Sequence, residues 1–201
     1  IYVGAFKDDR FGGQGLYTYA NGDIYTGAFE QDVKTGQGTK TWGPDTEFAG
    51  DKYVGTFKSN APNGQGTYTY GDGSIYVGAF KDGVKAGQGI KTWGPDTQFA
   101  GDTYDGAFQD DTQNGRGTYT WSDGGGSYSG GWYAGHKHGH GRRIYRNGNT
   151  FEGTVNMDKL QGEGTMSYAN GDVYVGDWEN SVPHGNGVIT YAYGVSIYFT
   201  Y

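Results

Sequence analysis

Three histidines at alternate positions are the first candidates for chemistry in this chain. His136, His138 and His140 lie in the segment GHKHGHG, and in a regular β-strand all three would share one face. Imidazoles that converge in this way can hold zinc or a similar ion. However, His184 has the same place relative to a glycine pair as His138 and has no companions. We therefore interpret these histidines as part of a repeated pattern and predict neither a metal site nor a bound cofactor.

Four aspartates in two similar segments could suggest a calcium site. Their spacing lacks the closely alternating oxygen ligands of a calcium-binding loop. The sequence Gly-Pro-Asp-Thr, which occurs in both segments, is typical of turns. We expect solvated turns rather than calcium ligands. The four residues are Asp45, Asp51, Asp96 and Asp102.

A basic segment interrupts an otherwise acidic chain. The net charge is −7, yet no acidic residue occurs between Asp123 and Glu152. Two interpretations stay open: an anion-binding patch for a phospholipid headgroup or an acidic protein surface, and a solvated face without a ligand. The overall acidity argues against nucleic acid as a partner, because its binding depends on neutralising phosphates. The cations of this segment are Lys137, Arg142, Arg143 and Arg146.

The glycine pairs of the chain superficially resemble phosphate-binding loops. A phosphate-binding loop leads into a helix whose N-terminus faces the anion. Here at most eight residues separate successive glycines, which is too few for a typical helix. No Walker motif, dinucleotide fingerprint or nucleophile elbow occurs in its required context. We predict that the chain is not an enzyme and that it contains almost no helix.

The composition identifies the side chains that must form the core. The 201 residues include 41 glycines, 19 tyrosines, 10 phenylalanines and 5 tryptophans, but leucine occurs only at Leu16 and Leu160. The glycines lack a period of three, which excludes collagen, and the regular recurrence of aromatic residues argues against disorder. The chain has no cysteine, so disulfides and thiolate zinc sites are impossible, although neither the cytosol nor the exterior is excluded. Periodically placed aromatic rings must therefore supply the core.

One unit of sequence accounts for this periodicity. It reads Tyr-x-Gly-x-aromatic, then six variable residues, then Gly-x-Gly-x-x-x-aromatic. The two longest units contain KTWGPDTEFAGD from Lys40 and KTWGPDTQFAGD from Lys91, and the offset of 51 residues marks duplication of a two-repeat block. The unit occurs eight times, with starts at Tyr2, Tyr25, Tyr53, Tyr76, Tyr104, Tyr128, Phe151 and Tyr174.

Each unit is predicted to be a β-hairpin. In DIYTGAFE, Tyr25, Gly27 and Phe29 alternate and therefore lie on one face of a strand, and the second half of the unit does the same if its strand is regular. Asn-Gly and Asp-Gly between units predict tight two-residue turns. A glycine on the aromatic face leaves room for a neighbouring ring to lie flat, so rings can stack along the sheet. The predicted fold is all-β, an elongated, twisted antiparallel β-meander of tandem hairpins that forms an open single-sheet repeat rod.

The unit resembles the MORN repeat, whose pattern is roughly Y-x-G-x-W-x-x-G-x-x-x-G-x-G followed by an aromatic residue. The resemblance covers residues 1–201 as a single array, and because the chain begins inside a repeat we expect a fragment of a longer array. Phenylalanine replaces the tryptophan in the first five units, Val155 replaces it in the seventh, and the two Gly-Pro-Asp-Thr insertions lengthen their units. The resemblance implies a dimerising scaffold beside a membrane or the cytoskeleton, and we expect a cytoplasmic location.

The expected function is that of a non-catalytic scaffold that binds a protein partner or a second copy of itself. The alternative is a module that binds anionic membrane lipid and is attached to an enzyme or a membrane-organising protein. Glycan binding by the aromatic strip is a third class, which no particular residue favours. Self-association would use the uncharged terminal run SIYFTY as a strand edge. The residues of this edge are Ile197, Tyr198, Phe199 and Tyr201.

Overall fold

The computed structural model describes residues 1–200, and within this range it contains β-strands and no helix. The strands form one antiparallel sheet, which confirms the predicted all-β meander of hairpins. The strands are β1 (Tyr2–Lys7), β2 (Arg10–Thr18), β3 (Ile24–Glu30), β4 (Val33–Thr41), β5 (Lys52–Lys58), β6 (Ala61–Thr69), β7 (Ile75–Lys81), β8 (Val84–Thr92), β9 (Thr103–Gln109), β10 (Thr112–Trp121), β11 (Gly126–Tyr133), β12 (His136–Tyr145), β13 (Thr150–Asn156), β14 (Lys159–Ser167), β15 (Val173–Glu179), β16 (Val182–Thr190) and β17 (Ser196–Thr200).

The chain divides into two compact units. The first unit contains Ile1–Gly101 and Phe108–Asp111, and within it β1 to β8 pair in sequence order. The second unit contains Asp102–Ala107 and the residues from Thr112 onward, and within it β10 to β17 pair in sequence order. Each unit is therefore a succession of antiparallel hairpins, which suits a chain whose repeats follow one another without long connections.

A tyrosine ring that lies flat on a pair of glycines is the central packing motif. Gly55 and Gly66 face each other across β5 and β6, and the fully buried ring of Tyr53 covers both. A Cβ atom on Gly66 would come within 2.6 Å of two ring carbons and the hydroxyl oxygen of Tyr53. The hydroxyl of Tyr53 donates a hydrogen bond to the carbonyl oxygen of Thr56 at 3.0 Å. The expectation that glycine makes room for a flat ring is thus confirmed.

In the first unit, phenylalanines link each buried tyrosine to the next, and Trp132 and Trp178 take this place in later repeats. The ring of Phe57 meets Tyr53 at 5.1 Å and Tyr25 at 4.9 Å, with interplanar angles of 85° and 84°. Phe80 repeats this arrangement against Tyr76 and Tyr53. Edge-to-face contacts of this kind match the positive edge of one ring to the negative face of another. They create a continuous aromatic core on one face of the sheet.

The tight turns lie at a different place from the one predicted. The connection between β2 and β3 is a five-residue loop, Tyr19 to Asp23, in which Gly22 alone has a positive φ, of 81°. The two-residue turns occur inside the repeats, where both residues have positive φ, as at Gln31 and Asp32 with 49° and 68°. The prediction of two-residue Asn-Gly turns between repeats was therefore wrong. The longer loop allows Asp23 to turn inward and accept a hydrogen bond from the backbone nitrogen of Gly43 at 2.9 Å.

The second strand of each hairpin is also less regular than the pattern assumed. The pairing of β5 with β6 shifts between Gly55 and Phe57, and Gly64 opposite this point has a φ of 88°. Such a bulge needs a residue that tolerates the left-handed region. The first glycine of the Gly-x-Gly pair, Gly64, therefore allows the backbone conformation of the bulge. The second, Gly66, leaves room for the Tyr53 ring.

We predict that alanine at Gly66 destabilises the fold more than removal of the tyrosine hydroxyl. Gly66→Ala forces the Tyr53 ring off the backbone and should lower the free energy of unfolding by about 2–3 kcal/mol. Tyr53→Phe loses one hydrogen bond and should cost only about 1 kcal/mol. Phe151, which covers Gly153 and Gly164 in the same way, shows that the ring without its hydroxyl fits. Urea unfolding measures both, and equal costs would contradict the packing argument.

We also predict a loss of stability at alkaline pH. Burial raises the pKa of Tyr25, Tyr53, Tyr76 and Tyr128 to about 12, whereas an unfolded tyrosine titrates near 10. A folded-state pKa above the unfolded one gives stabilisation that is complete below about pH 10 and is lost as the pH rises towards about 12. Urea unfolding between these pH values should show a steep decline. Tyr53→Phe should make the decline shallower by one proton, and an unchanged slope would refute the assignment.

Candidate functional site

A pocket of about 450 Å³ combines cations and aromatic rings in the second unit. Trp121 stands at the end of β10, and Lys137, Arg143 and Tyr145 come from β12. Arg143 lies directly opposite the buried Tyr128 in the pairing of β11 with β12. The strand register therefore places this arginine on the aromatic face of the sheet.

Arg143 is a cation stacked between rings. Its guanidinium carbon lies 3.5 Å from the centre of the Trp121 ring and 5.0 Å from that of Tyr145. Nη2 donates a hydrogen bond to the carbonyl oxygen of Gly125 at 3.0 Å, while the buried Nη1 has no partner within residues 1–200. Burial lowers the pKa of Arg143 from its ordinary value, but an arginine stays charged at neutral pH. Among the described residues no carboxylate lies within ion-pair distance of Arg143, although the charge of Asp123 acts on it from further away.

Lys137, the second cation of the pocket, is neutralised by Asp158. Its Nζ lies 2.8 Å from Oδ1 of Asp158, and His136 Nδ1 lies 2.6 Å from the other carboxylate oxygen. Burial alone would raise the pKa of Asp158, but the hydrogen bonds from Lys137 and His136 outweigh it and hold the pKa below its usual value. Lys137 also lies over Trp121, at 5.7 Å. The tryptophan is thus flanked by one paired and one open cation.

The structure separates the four cations of the basic segment. Lys137 and Arg143 line the pocket, but Arg142 is exposed and faces Glu152 and Ser129 across its neighbouring strands. Because neighbouring residues of a strand point to opposite faces, Arg142 lies on the other side of the sheet from Arg143.

Arg146 does not line the pocket that Lys137 and Arg143 share. It reaches the turn at Asp123, donates to its carbonyl oxygen and forms an ion pair with its carboxylate at 3.8 Å. Only Lys137 and Arg143 therefore share a site.

The histidines do not converge on a common point. His136 bonds to Asp158, the ring of His138 lies 5.8 Å from that of Tyr133, and His140 pairs with Thr154 of β13. In the part of the chain that the structure describes, no group of three or more histidine, cysteine or acidic side chains is placed to hold a metal ion. His136 instead supports the carboxylate that neutralises Lys137.

Two of the candidate calcium ligands connect successive repeats. Asp51 is buried and accepts hydrogen bonds from the backbone nitrogen of Gly71 at 2.7 Å and from the hydroxyl of Tyr68. Asp102 is bonded in the same way to Ser122 and Tyr119. Their oxygens are used by the next repeat, whereas Asp45 and Asp96 are exposed in the inserted turns.

The candidate self-association edge is β17, which pairs with β16. Tyr198 and Ile197 are exposed, by 81% and 43%, and Phe199 is less exposed. Tyr201 lies outside the described residues. Aromatic side chains are therefore accessible on this strand.

The sequence reasoning missed a pattern with a period of two repeats. The residue two places after each Gly-x-Gly pair faces a buried ring of the core, and it is a cation only in the second, fourth and sixth repeats: Lys40, Lys91 and Arg143. The same repeats carry a further lysine at the start of the strand, namely Lys34, Lys85 and Lys137. Comparison of the repeats in pairs, as the 51-residue duplication invites, would have revealed it.

The repeated geometry agrees with a comparison against known families. The MORN repeat model matches residues 2–24, 25–46, 53–75, 76–97, 104–126, 128–150, 151–173 and 174–194, beginning at the eight predicted starts. The chain belongs to the MORN repeat family. MORN repeats indicate a scaffold for interaction with proteins or membranes.

The chain was also compared with curated proteins and with solved structures. A search of curated proteins finds no significant match. Among solved structures, the chain is similar to the SAS-4 (dCPAP) TCP domain in complex with a proline-rich motif of Ana2 (dSTIL) of Drosophila melanogaster. The identity is 13% and the TM-score 0.36, over 94% of this chain and 84% of that chain. Across residues 1–200, the MORN chain has no helix with the length and apolar character needed to cross a membrane.

Proposed function

We propose that this MORN chain is a non-catalytic scaffold whose Arg143 pocket binds an acidic side chain of a protein partner. The observation that carries the proposal is the guanidinium of Arg143, which has no ion pair within residues 1–200 and is stacked on Trp121 in a pocket of about 450 Å³. A guanidinium has five N–H donors, of which Nη2 uses one on Gly125, so donors are left for a charge-assisted hydrogen bond to a carboxylate. The surrounding rings restrict water, which strengthens such a bond.

The arrangement of the cations favours a protein partner over a membrane surface. A flat anionic membrane attracts cations that are exposed together on one side. Arg143 is half-buried in a pocket, Arg142 lies on the opposite face and Arg146 pairs with Asp123. The net charge of −7 also repels an anionic leaflet. A protruding acidic side chain can enter the pocket, whereas a planar headgroup layer meets few free cations.

We predict that an acidic peptide binds through Arg143 and not through Arg142. Titration with a hexaglutamate peptide, followed by calorimetry, should show binding that Arg143→Gln weakens by at least about fivefold, because charged hydrogen bonds are lost. Arg142→Gln is the matched control, since it removes the same charge from the other face and should leave the affinity unchanged. Hexaglutamine should not bind.

The same variants discriminate the lipid alternative. Vesicles that contain phosphatidylserine should bind weakly to the unchanged chain. Strong vesicle binding that falls equally with Arg142→Gln and Arg143→Gln would overturn the proposal and support membrane binding. Hexaglutamate binding that neither variant alters would also overturn it.

Self-association through β17 is a second proposal, supported by the exposed side chains of Tyr198 and Ile197. An aromatic strand edge can pair with another strand and bury these side chains. We predict that size-exclusion chromatography with light scattering shows a mass that rises with concentration. Tyr198→Asp should shift the chain towards the monomer, and a monomer at every concentration would rule self-association out.

A further inference from the structure

The duplicated two-repeat block allows the chain to serve as its own comparison in the first unit. The block that begins at Tyr2 contains Lys40 and Asp23, and the block that begins at Tyr53 contains Lys91 and Ser74 at the same places. In the first block, Asp23 accepts a hydrogen bond from the backbone nitrogen of Gly43 with Oδ1, at 2.9 Å, and pairs with Lys40 Nζ through Oδ2, at 3.1 Å. One oxygen supports the loop, and the other neutralises the lysine.

Serine preserves only the first of these two roles. Ser74 Oγ accepts the equivalent hydrogen bond from the backbone nitrogen of Gly94, also at 2.9 Å. It has no second oxygen for the lysine, and Lys91 forms no ion pair within residues 1–200. Asp72, the neighbouring carboxylate, accepts a bond from the backbone nitrogen of Ser74 instead. The charge of Lys91 is therefore left open by a substitution that keeps the loop intact.

Lys91 lies over two aromatic rings, of which Trp93 corresponds to the Trp42 that Lys40 approaches at 4.3 Å. Its Nζ lies 4.8 Å from the centre of Trp93 and 5.4 Å from that of Tyr70. Lys85 approaches the same Tyr70 and bonds to its hydroxyl at 2.7 Å, but it also has Asp111 at 3.6 Å. Burial and the charge of Lys85 lower the pKa of Lys91. Tyr70 is thus approached by two cations, of which only Lys85 has a carboxylate within ion-pair distance, while the charge of Asp72 acts on Lys91 from further away.

An apolar pocket of about 340 Å³ is lined by Lys85 and by Tyr70, the ring that Lys91 also approaches. Its walls are aromatic apart from one proline, one glycine and the Lys85–Asp111 pair, so it suits an apolar side chain. Its apolar lining comprises Trp42, Phe48, Pro62, Tyr68, Tyr70 and Phe80.

We infer that Lys91 and this pocket form a second binding site, for a peptide in which an acidic residue is adjacent to an aromatic one. The carboxylate pairs with the half-buried Lys91 from the solvent, and the aromatic side chain enters the pocket. The carboxylate is the favoured anion because the chain itself places one on the equivalent lysine. None of these residues lines the Arg143 pocket, so the inference goes beyond the proposed function.

The test uses the exchange that the two blocks already contain. In chains carrying Arg143→Gln, which removes the other site, side-chain lysine signals are followed by NMR during titration with the capped tripeptide Glu-Phe-Glu. The Lys91 signal should shift, and Ser74→Asp should weaken the affinity by at least about fivefold, since the carboxylate is then supplied within the chain. Gln-Phe-Gln should leave the signal unchanged.

Asp23→Ser is the reciprocal variant and provides the control. It should leave the Lys91 response unchanged and make the Lys40 signal respond to Glu-Phe-Glu. Near-ultraviolet circular dichroism confirms that each variant keeps its aromatic packing. A Lys91 response that survives Ser74→Asp, or that Gln-Phe-Gln also produces, would overturn the inference. A silent Lys91 signal would do the same, while binding through Arg143 in the parent chain would still stand.

Discussion

The contact between a flat tyrosine ring and two facing glycines is the constraint on which the rest of the structure depends. A Cβ atom on Gly38, Gly66 or Gly89 would lie within 2.5 Å of the hydroxyl oxygen of the covering tyrosine. The ring can lie on the backbone only where two strands both lack side chains, so it fixes the register of every hairpin in which it occurs. Once the register is fixed, the phenylalanine two residues after the first of these glycines contacts the rings of two successive repeats, as Phe57 contacts Tyr25 and Tyr53. A single sheet thereby obtains an aromatic core on one face without a second layer to cover it.

This mode of packing also determines where the chain can vary. The glycines and tyrosines of the repeat form the core and therefore allow little change. Asp51 and Asp102 accept hydrogen bonds from the next repeat. The residue two places after the glycine pair faces a tyrosine or phenylalanine of the core. The far end of its side chain can differ in charge and polarity from repeat to repeat. This position holds tyrosine in Tyr17 and Tyr68, a cation in Arg143 and methionine in Met166. Variation at this one position changes the aromatic face from repeat to repeat without altering the backbone.

Much of the fold could be predicted from the sequence, because glycine and aromatic residues at fixed spacing leave few ways to bury rings. The turns could not be predicted in the same way. Asn-Gly favours a two-residue turn only when the side chains around it make no other hydrogen bonds. Here Asn21 bonds to the backbone nitrogen of Asp23, and Asp23 reaches Gly43, so the loop is held open by contacts twenty residues away. The basic segment was visible as composition, and the alternation of a strand already separates Arg142 from Arg143. The partners of the cations could not be predicted, because the stacking of Arg143 on Trp121 and the ion pair of Arg146 with Asp123 depend on the neighbouring strand and its turn.

The charges show how a repeat protein can separate structural from functional roles. Two cations lie over one ring around Tyr70 and around Trp121, whereas Lys34 and Lys40 lie over different rings. In each of the three cases a carboxylate neutralises one of the two cations: Asp23 for Lys40, Asp111 for Lys85 and Asp158 for Lys137. The identity of the neutralised cation changes, because the carboxylate comes from the loop in the first block and from a hairpin turn in the other two. Asp23 in one block corresponds to Ser74 in the other, and Asn21 corresponds to Asp72. Ser74 accepts the same backbone hydrogen bond as Asp23 but forms no ion pair with the lysine. The ion pairs of a repeat array can therefore differ from block to block, while the ring-on-glycine contacts that hold the fold stay unchanged.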